Sequence, residues 1–344
     1  MPTLARTVAG LALGSLGGAA FYLLSLPLPW MLGSLCVTMA ASVAAWPIQG
    51  PTRLRPAIVA VIGVLLGSRF TPEIVEQASQ ALVSLAILLA YLLIVGAVIV
   101  PYYRFVGRQD WTTAYFAGMP GGLSEMIELG EARGANVPAI VLAHSLRIVL
   151  TIGLMAFMFR VILGHDVGAA GSGGGAGSLT LLDAAILTGC AVVGVPVGTW
   201  LRLPAPAFLG PLVLSAATHL TGLTASVPPN MLVNAAQVAL GTILGCRFLG
   251  ISVSSLARAG LISLGATLLT LTLALLAAIA IQQAAGIRVD QGILALAPGG
   301  LTEMGLIALA INADVAFVAI HHVARILVVL VLAPLLLPRR RPDA

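Results

Sequence analysis

The stretch PGGLSEM at residues 120–126 decides the fold, because the chain repeats it as PGGLTEM at residues 298–304. A second pair of segments follows the same spacing of 178 residues, since GSRF at 67–70 returns as GCRF at 245–248. Two unrelated motifs recurring at one spacing indicate an internal duplication and not a chance match. The sequence therefore predicts two homologous halves within one chain.

The composition places both halves in a membrane. Hydrophobic residues make up 59% of the chain, charged residues only 8%, and the mean hydropathy is +1.07, whereas about a quarter of the residues of a soluble domain are charged. Several apolar runs reach the ~20 residues that cross a bilayer as a helix, and none alternates as a barrel strand does. We predict an all-α, polytopic integral membrane protein with about ten helices, or alternatively about twelve.

The duplication also predicts the domain organisation. Residues 1–163 form the first membrane repeat, residues 164–178 a flexible linker rich in Gly, Ala and Ser, and residues 179–338 the second repeat. The first apolar run follows Arg6 as a signal peptide would, but it has a counterpart in the second half, so we expect it to be retained as a span. All 17 basic residues are Arg, and an odd number of crossings in each half would bring most of them to the cytoplasmic side. This distribution predicts inverted repeats with interrupted helices.

The repeated motif is the first candidate site. A Pro followed by two Gly prevents a continuous helix, so a new half-helix begins after it with exposed amide donors and about half a positive charge. A carboxylate lies about one turn inside each half-helix, and a hydroxyl stands beside it. One alternative is a tight turn with a capped helix start, and the other is an ion or substrate site. The candidate residues are Pro120, Gly121, Gly122, Ser124, Glu125, Pro298, Gly299, Gly300, Thr302 and Glu303.

A histidine and an arginine follow each motif and complete the candidate site. They stand three residues apart, so they share one face of the next helix, which must look inward because the rest of that helix is apolar. One alternative is an ion pair between each arginine and the glutamate of its motif, which would fix the packing. The other is that each arginine binds an anionic substrate through two parallel hydrogen bonds, while the glutamate takes up a proton or a cation. These residues are His144, Arg147, His322 and Arg325.

Other chemistry has weak support in the sequence. The three cysteines are odd in number and lack metal-binding spacing, and no nucleotide-binding motif is present. We predict no catalytic residue, no metal and no cofactor. No basic soluble segment indicates direct binding of nucleic acid. The expected partners are the lipid bilayer and a small ion or organic anion, with a homo-oligomer left open.

The chain resembles the bacterial AbrB membrane-protein family in three features. These are the doubled motif, the Leu-Pro-x-Pro segments at 26–29 and 203–206, and the arginines that follow the motifs, Arg147 and Arg325. Members of that family carry two labels, regulator of gene expression and ammonia monooxygenase. The resemblance implies a multi-pass protein of the bacterial inner membrane. Interrupted helices in both halves favour a secondary transporter for a small ion or organic anion, although two carboxylates suit ammonium or sodium equally well. The alternatives are a membrane-embedded regulator that acts indirectly and, with less support, a metal-dependent monooxygenase, which would need a clustered set of ligands.

Overall fold

The computed structural model describes residues 3–70, 78–164 and 179–336, with side chains left out at 78–81, 124 and 333–336. These ranges contain fourteen α-helices and no β-strand. Seven of the helices within them are long and apolar enough to cross a membrane. The prediction of an all-α polytopic membrane protein is confirmed. The linker predicted at 164–178 lies outside the described residues except for Gly164.

The helices of the second half follow those of the first in order and length. The first half contains α1 (Thr3–Leu23), α2 (Pro29–Val43), α3 (Arg55–Gly67), α4 (Ala78–Phe105), α5 (Trp111–Gly118), α6 (Leu123–Glu131) and α7 (Val137–Phe157). The second half contains α8 (Leu181–Trp200), α9 (Pro206–Leu220), α10 (Asn230–Gly245), α11 (Val253–Ala285), α12 (Val289–Leu296), α13 (Leu301–Ala310) and α14 (Val315–Leu336). The helices α5, α6 and α7 begin 178 residues before α12, α13 and α14, the same spacing that separates the two motifs.

The chain divides into two compact units, and each unit takes segments from both halves. The first unit comprises Met1–Glu76, Ile152–Ser252 and Gly305–Ala316. The second unit comprises Gln77–Thr151, Val253–Met304 and Phe317–Ala344. The first unit therefore holds α1 to α3 with α8 to α10, whereas the second holds both interrupted segments and the histidines and arginines that follow them.

Glycines set the closest helix crossings of the first unit. Gly17 of α1 lies against the backbone of Gly33 in α2, and Gly194 of α8 lies against Gly210 in α9. Small residues let membrane helices approach until their backbones touch, which compensates for the weak hydrophobic drive between helices in lipid. α2 also packs against α10, and α9 against α3. Helices of the two halves therefore interlock within this unit.

The second unit shows the predicted interruption in both halves. α5 ends at Gly118, Met119 is extended, and α6 begins only at Leu123. α12 likewise ends at Leu296, and α13 begins at Leu301. A helix of eight residues spans about 12 Å, less than half of a hydrocarbon core about 30 Å thick. Each motif thus separates two short helices, as the sequence predicts.

A matched pair of glycines in α8 tests the close crossing. A Cβ added at Gly194 would lie 2.5 Å from the backbone nitrogen of Pro211, whereas one added at Gly189 would meet open space. We expect Gly194→Ala to lower the free energy of unfolding by about 1–3 kcal/mol, because backbone atoms cannot move aside. Gly189→Ala should be neutral or stabilising, because alanine is the better helix former. Thermal unfolding in detergent measures both, and equal melting temperatures for the two variants would contradict the crossing.

Candidate functional site

The second glycine of each motif makes room for the carboxylate that follows it. Gly122 precedes the first turn of α6, and a Cβ there would collide with the carboxylate of Glu125. A Cβ at Gly300 would collide in the same way with the carboxylate of Glu303. Each glutamate therefore folds back over the start of its own helix, where the exposed amide groups carry a partial positive charge. Only glycine leaves this space free.

The first glycine of each motif makes room for the methionine at its end. A Cβ at Gly121 would approach the sulfur and methyl group of Met126, and Gly299 has the same relation to Met304. Both methionine side chains are fully buried. The spacing of the motif thus has a local structural reason at four of its seven positions. Of the two hydroxyl residues, Thr302 is half-buried in the first turn of α13, and the side chain of Ser124 lies outside the described structure.

In the first half, His144 and Arg147 cap the carboxyl end of α5. The Nε2 of His144 donates to the carbonyl oxygen of Phe116 at 2.8 Å, and Nη1 of Arg147 donates to that of Met119 at 3.1 Å. The Nη2 of Arg147 donates to Nδ1 of His144 at 3.0 Å. These contacts satisfy carbonyl groups that have no partner within the helix, and they place a cation at its negative end.

The second half repeats this cap and adds one hydrogen bond. The Nε2 of His322 donates to the carbonyl oxygen of Leu294 at 2.9 Å, and Nη2 of Arg325 donates to Nδ1 of His322 at 3.1 Å. Arg325 also donates through Nη1 to the carbonyl oxygen of Ala297 and through Nη2 to that of Gly299. A histidine that donates from Nε2 and accepts at Nδ1 is a neutral imidazole, so both histidines are uncharged packing residues in this arrangement.

The ion pair considered between each arginine and the glutamate of its motif is absent from the described contacts. Both terminal nitrogens of Arg147 and of Arg325 bind backbone carbonyls or histidine, and each Nε has no hydrogen-bond partner. The physical reason is that the carboxylates and the guanidinium groups serve opposite ends of the interrupted helices. Carboxylates stabilise the amino ends, and arginines stabilise the carboxyl ends.

The two arginines are nevertheless both buried inside the second unit, within range of each other's charge. Only 8% of Arg147 and 5% of Arg325 is exposed, and the two guanidinium groups interact electrostatically with each other and with the hydroxyl of Tyr91. Tyr91 is buried and donates to the carbonyl oxygen of Leu296 at 3.1 Å. Sequence reasoning missed this tyrosine. A tyrosine in the middle of the apolar span Leu82–Phe105 was the available signal, because a buried tyrosine hydroxyl requires a partner.

Metal ligands do not cluster in the part of the chain that the structure describes. Within it, no group of three or more His, Cys, Asp or Glu side chains could hold a metal ion. Glu128 and Glu131, which have no acidic counterparts in the second half, are exposed on α6. The charged groups buried around the interrupted helices are therefore the candidate site, with two arginines at its centre.

These features define a polytopic membrane protein with two interrupted helices and buried charges at the breaks, and comparison with known proteins gives its family. The sequence profile of a family described as "Transition state regulatory protein AbrB" matches residues 30–340. The chain belongs to the AbrB family. It is 29% identical over 325 residues to "Putative regulator AbrB" of Escherichia coli (strain K12), covering 91% of this chain and 90% of that protein. It is also 24% identical over 350 residues to "Uncharacterized protein YhjN" of Bacillus subtilis (strain 168), covering 94% and 90%.

A double substitution tests the contact between Gly122 and Glu125. The backbone of Gly122 is extended, with φ −68° and ψ 141°, so alanine fits there without backbone strain. We expect Gly122→Ala to destabilise the protein by about 1–3 kcal/mol through the collision with the carboxylate. Adding Glu125→Ala should recover most of that loss, because it removes the colliding atoms. Melting curves in detergent are measured for the native protein, the two single variants and the double variant. If the losses of stability in the two single variants add up to the loss in the double variant, the contact is contradicted.

A second cycle distinguishes a helix cap from an ion pair. Arg147→Met should lower the free energy of unfolding by several kcal/mol, because each buried acceptor left without a donor costs about 1–3 kcal/mol. Adding Glu125→Gln should not restore stability, since the two side chains share no contact. We expect a coupling energy below about 0.5 kcal/mol from detergent melting. Recovery in the double variant would instead support the ion pair.

Proposed function

We propose that the protein is a secondary transporter of a small anion, which binds between Arg147 and Arg325. The observation that carries this proposal is the pair of buried guanidinium groups, which interact with each other while each keeps one Nε–H without a partner. Two like charges in a low-dielectric interior repel strongly, and buried cations require compensation. An anion between them would supply the compensation and accept both free N–H groups.

The charges around the breaks indicate how many negative charges the ligand carries. Each helix end contributes about half a unit charge, so the two arginines exceed the carboxyl ends of α5 and α12 by about one positive charge. A monoanion, such as a single carboxylate, balances that excess. A guanidinium group also matches the planar geometry of a carboxylate.

The two glutamates give the site a means of coupling. Glu125 and Glu303 exceed the amino ends of α6 and α13 by about one negative charge, and the two arginines make no hydrogen bond to them. Binding of an anion would therefore leave the second unit with one negative charge too many. Uptake of a proton or a cation by either glutamate restores the balance, which favours symport driven by an ion gradient.

The architecture supports transport for an independent reason. Interrupted helices at corresponding positions of two repeats are typical of secondary transporters, which bind substrates and coupling ions at the freed helix ends. The inverted orientation of the halves remains part of the proposal. We place the protein in the bacterial inner membrane, because its spans are helical and its relatives come from Escherichia coli and Bacillus subtilis.

A membrane-embedded regulator of gene expression is the second candidate function. The description of the family and the name of the Escherichia coli relative favour it. The buried arginines suit a sensor of the same anion, which would alter transcription indirectly without moving the anion across the bilayer. The two candidates differ in one measurable quantity, the flux of solute through the purified protein.

Uptake into proteoliposomes tests the proposed function. The native protein should accumulate a radiolabelled monoanion, with acetate, lactate and chloride as probes, when an inward proton or sodium gradient is imposed. Glu125→Gln with Glu303→Gln keeps the shape of both side chains, so uptake should persist but lose its dependence on the gradient. Arg147→Lys and Arg325→Lys keep the charge without the planar fork, and each should reduce uptake by about tenfold or more.

Arg258→Lys is the control for the arginine variants, because Arg258 is exposed on α11 and the substitution makes the same chemical change outside the proposed site. This variant should transport at the native rate. Proposed transport is refuted if the folded native protein moves none of the probes under either gradient. Altered transcription in a deletion strain, together with the absence of flux, would establish the regulator instead.

A further inference from the structure

A small cavity lies beside the arginine cap of the first half. It has a volume of about 70 Å³ and lies among α4, α5, α7 and α11, within the second unit. The turn after α4 borders it through Gly107 and Gln109. Ala139 and Ala143 of α7 leave the space open, because their side chains are short. The cavity is large enough for about two water molecules.

Two hydroxyl groups make this cavity polar. Tyr103 and Ser263 line it, and both hydroxyls are buried. The two groups are close enough to interact, yet neither makes a hydrogen bond of good geometry to a described residue. A buried polar group without a partner is costly, and ordered water normally satisfies it. The cavity therefore has both the room and the partners that bound water requires.

The cavity also reaches the electrostatic field of the candidate site. The hydroxyl of Tyr103 interacts with the guanidinium group of Arg147. At the other end, the turn at Gly107 and Gln109 follows the last residue of the span Leu82–Phe105, so it stands at the membrane surface. Arg104 donates to the carbonyl oxygen of Gln109 at 2.9 Å and adds positive charge there. Positive charge at the mouth of a polar cavity attracts anions.

Larger side chains stand at the matching positions of the second half. Phe317 and His321 stand where the first half has Ala139 and Ala143, and their rings pack with centroids 4.0 Å apart. The hydroxyl counterparts are apolar, because Ile281 replaces Tyr103 and Leu85 replaces Ser263. His321 is fully buried and binds the hydroxyl of Ser84 at 2.9 Å. The side chains that leave the cavity open and polar in the first half are therefore not repeated at the matching positions of the second half.

We propose that this cavity is a water-filled vestibule that leads from the membrane surface at Gly107 and Gln109 to Tyr103, whose hydroxyl lies within the electrostatic field of Arg147. Phe317 and His321 close the corresponding route in the second half. Its occupants are about two water molecules, which a small anion displaces as it passes the hydroxyls. The proposal rests on the proposed anion site, because a vestibule has a purpose only if Arg147 receives a ligand. It gives access to that ligand from one side of the membrane.

Hydroxyl-radical footprinting of the full chain in nanodiscs tests the vestibule, because radicals made from bound water label the side chains beside it. Only 5% of Tyr103 is exposed, so a dry interior would leave it unlabelled. We expect strong labelling of Tyr103 and little of Tyr91, which is buried and bonded to a carbonyl group. Ala143→Phe fills the space as the second half does and should abolish labelling of Tyr103. Ala139→Leu serves the same purpose if Ala143→Phe does not fold.

The experiment has different outcomes for failure of the vestibule and for failure of the proposed transport. Absence of labelling at Tyr103 in the native protein, or unchanged labelling in a folded filling variant, overturns the vestibule whatever the flux. Labelling that disappears with the filling residue supports it. If the native protein labels at Tyr103 but moves no anion in proteoliposomes, transport is refuted while the water-filled cavity stands. If it moves anions, the filling variant should slow uptake by about tenfold or more.

Discussion

The structure depends on satisfying backbone groups where a helix breaks inside hydrocarbon. No water is available there, so each free amide or carbonyl costs several kcal/mol unless the protein supplies a partner. The chain supplies both kinds. A glutamate folds over the amino end that follows each Pro-Gly-Gly segment, and an arginine with a histidine caps the carboxyl end that precedes it. The break and its two charges form one unit, which explains why they recur together.

A structural cap and a ligand site are compatible in this arrangement. A guanidinium group has five donors. The terminal nitrogens of Arg147 donate to the carbonyl oxygen of Met119 and to Nδ1 of His144, while its Nε has no hydrogen-bond partner. The cap holds the side chain in one position, so a ligand need not order it again on binding. The same contacts that stabilise the broken helix therefore hold the free Nε–H in position for an anion. Buried charge serves the fold and the proposed chemistry together.

Much of this arrangement can be predicted from the sequence, and the failures have a physical cause. The helical breaks, the shared face of His144 and Arg147, and the N-cap roles of Asn136 and Asp314 all follow from local rules. Asn136 accepts from the amide of Ala139 at 3.1 Å, and Asp314 from that of Ala316 at 2.8 Å. Carbonyl acceptors are identical at every residue, so no pattern indicates which ones an arginine will bind. Nor does periodicity within one half show which helices of the other half will pack against it.

Comparison of the two halves distinguishes the residues that the fold requires in both from the positions that can differ between them. The residues that complete each break are present twice, because either break would be unstable without them. The neighbouring positions on the same helix differ, with Ala139 and Ala143 in one half and Phe317 and His321 in the other. These positions satisfy no helix end, so their size can change without exposing backbone. Two similar caps with unequal surroundings give a site that is symmetric in its charges, and the proposed vestibule would make it asymmetric in its access.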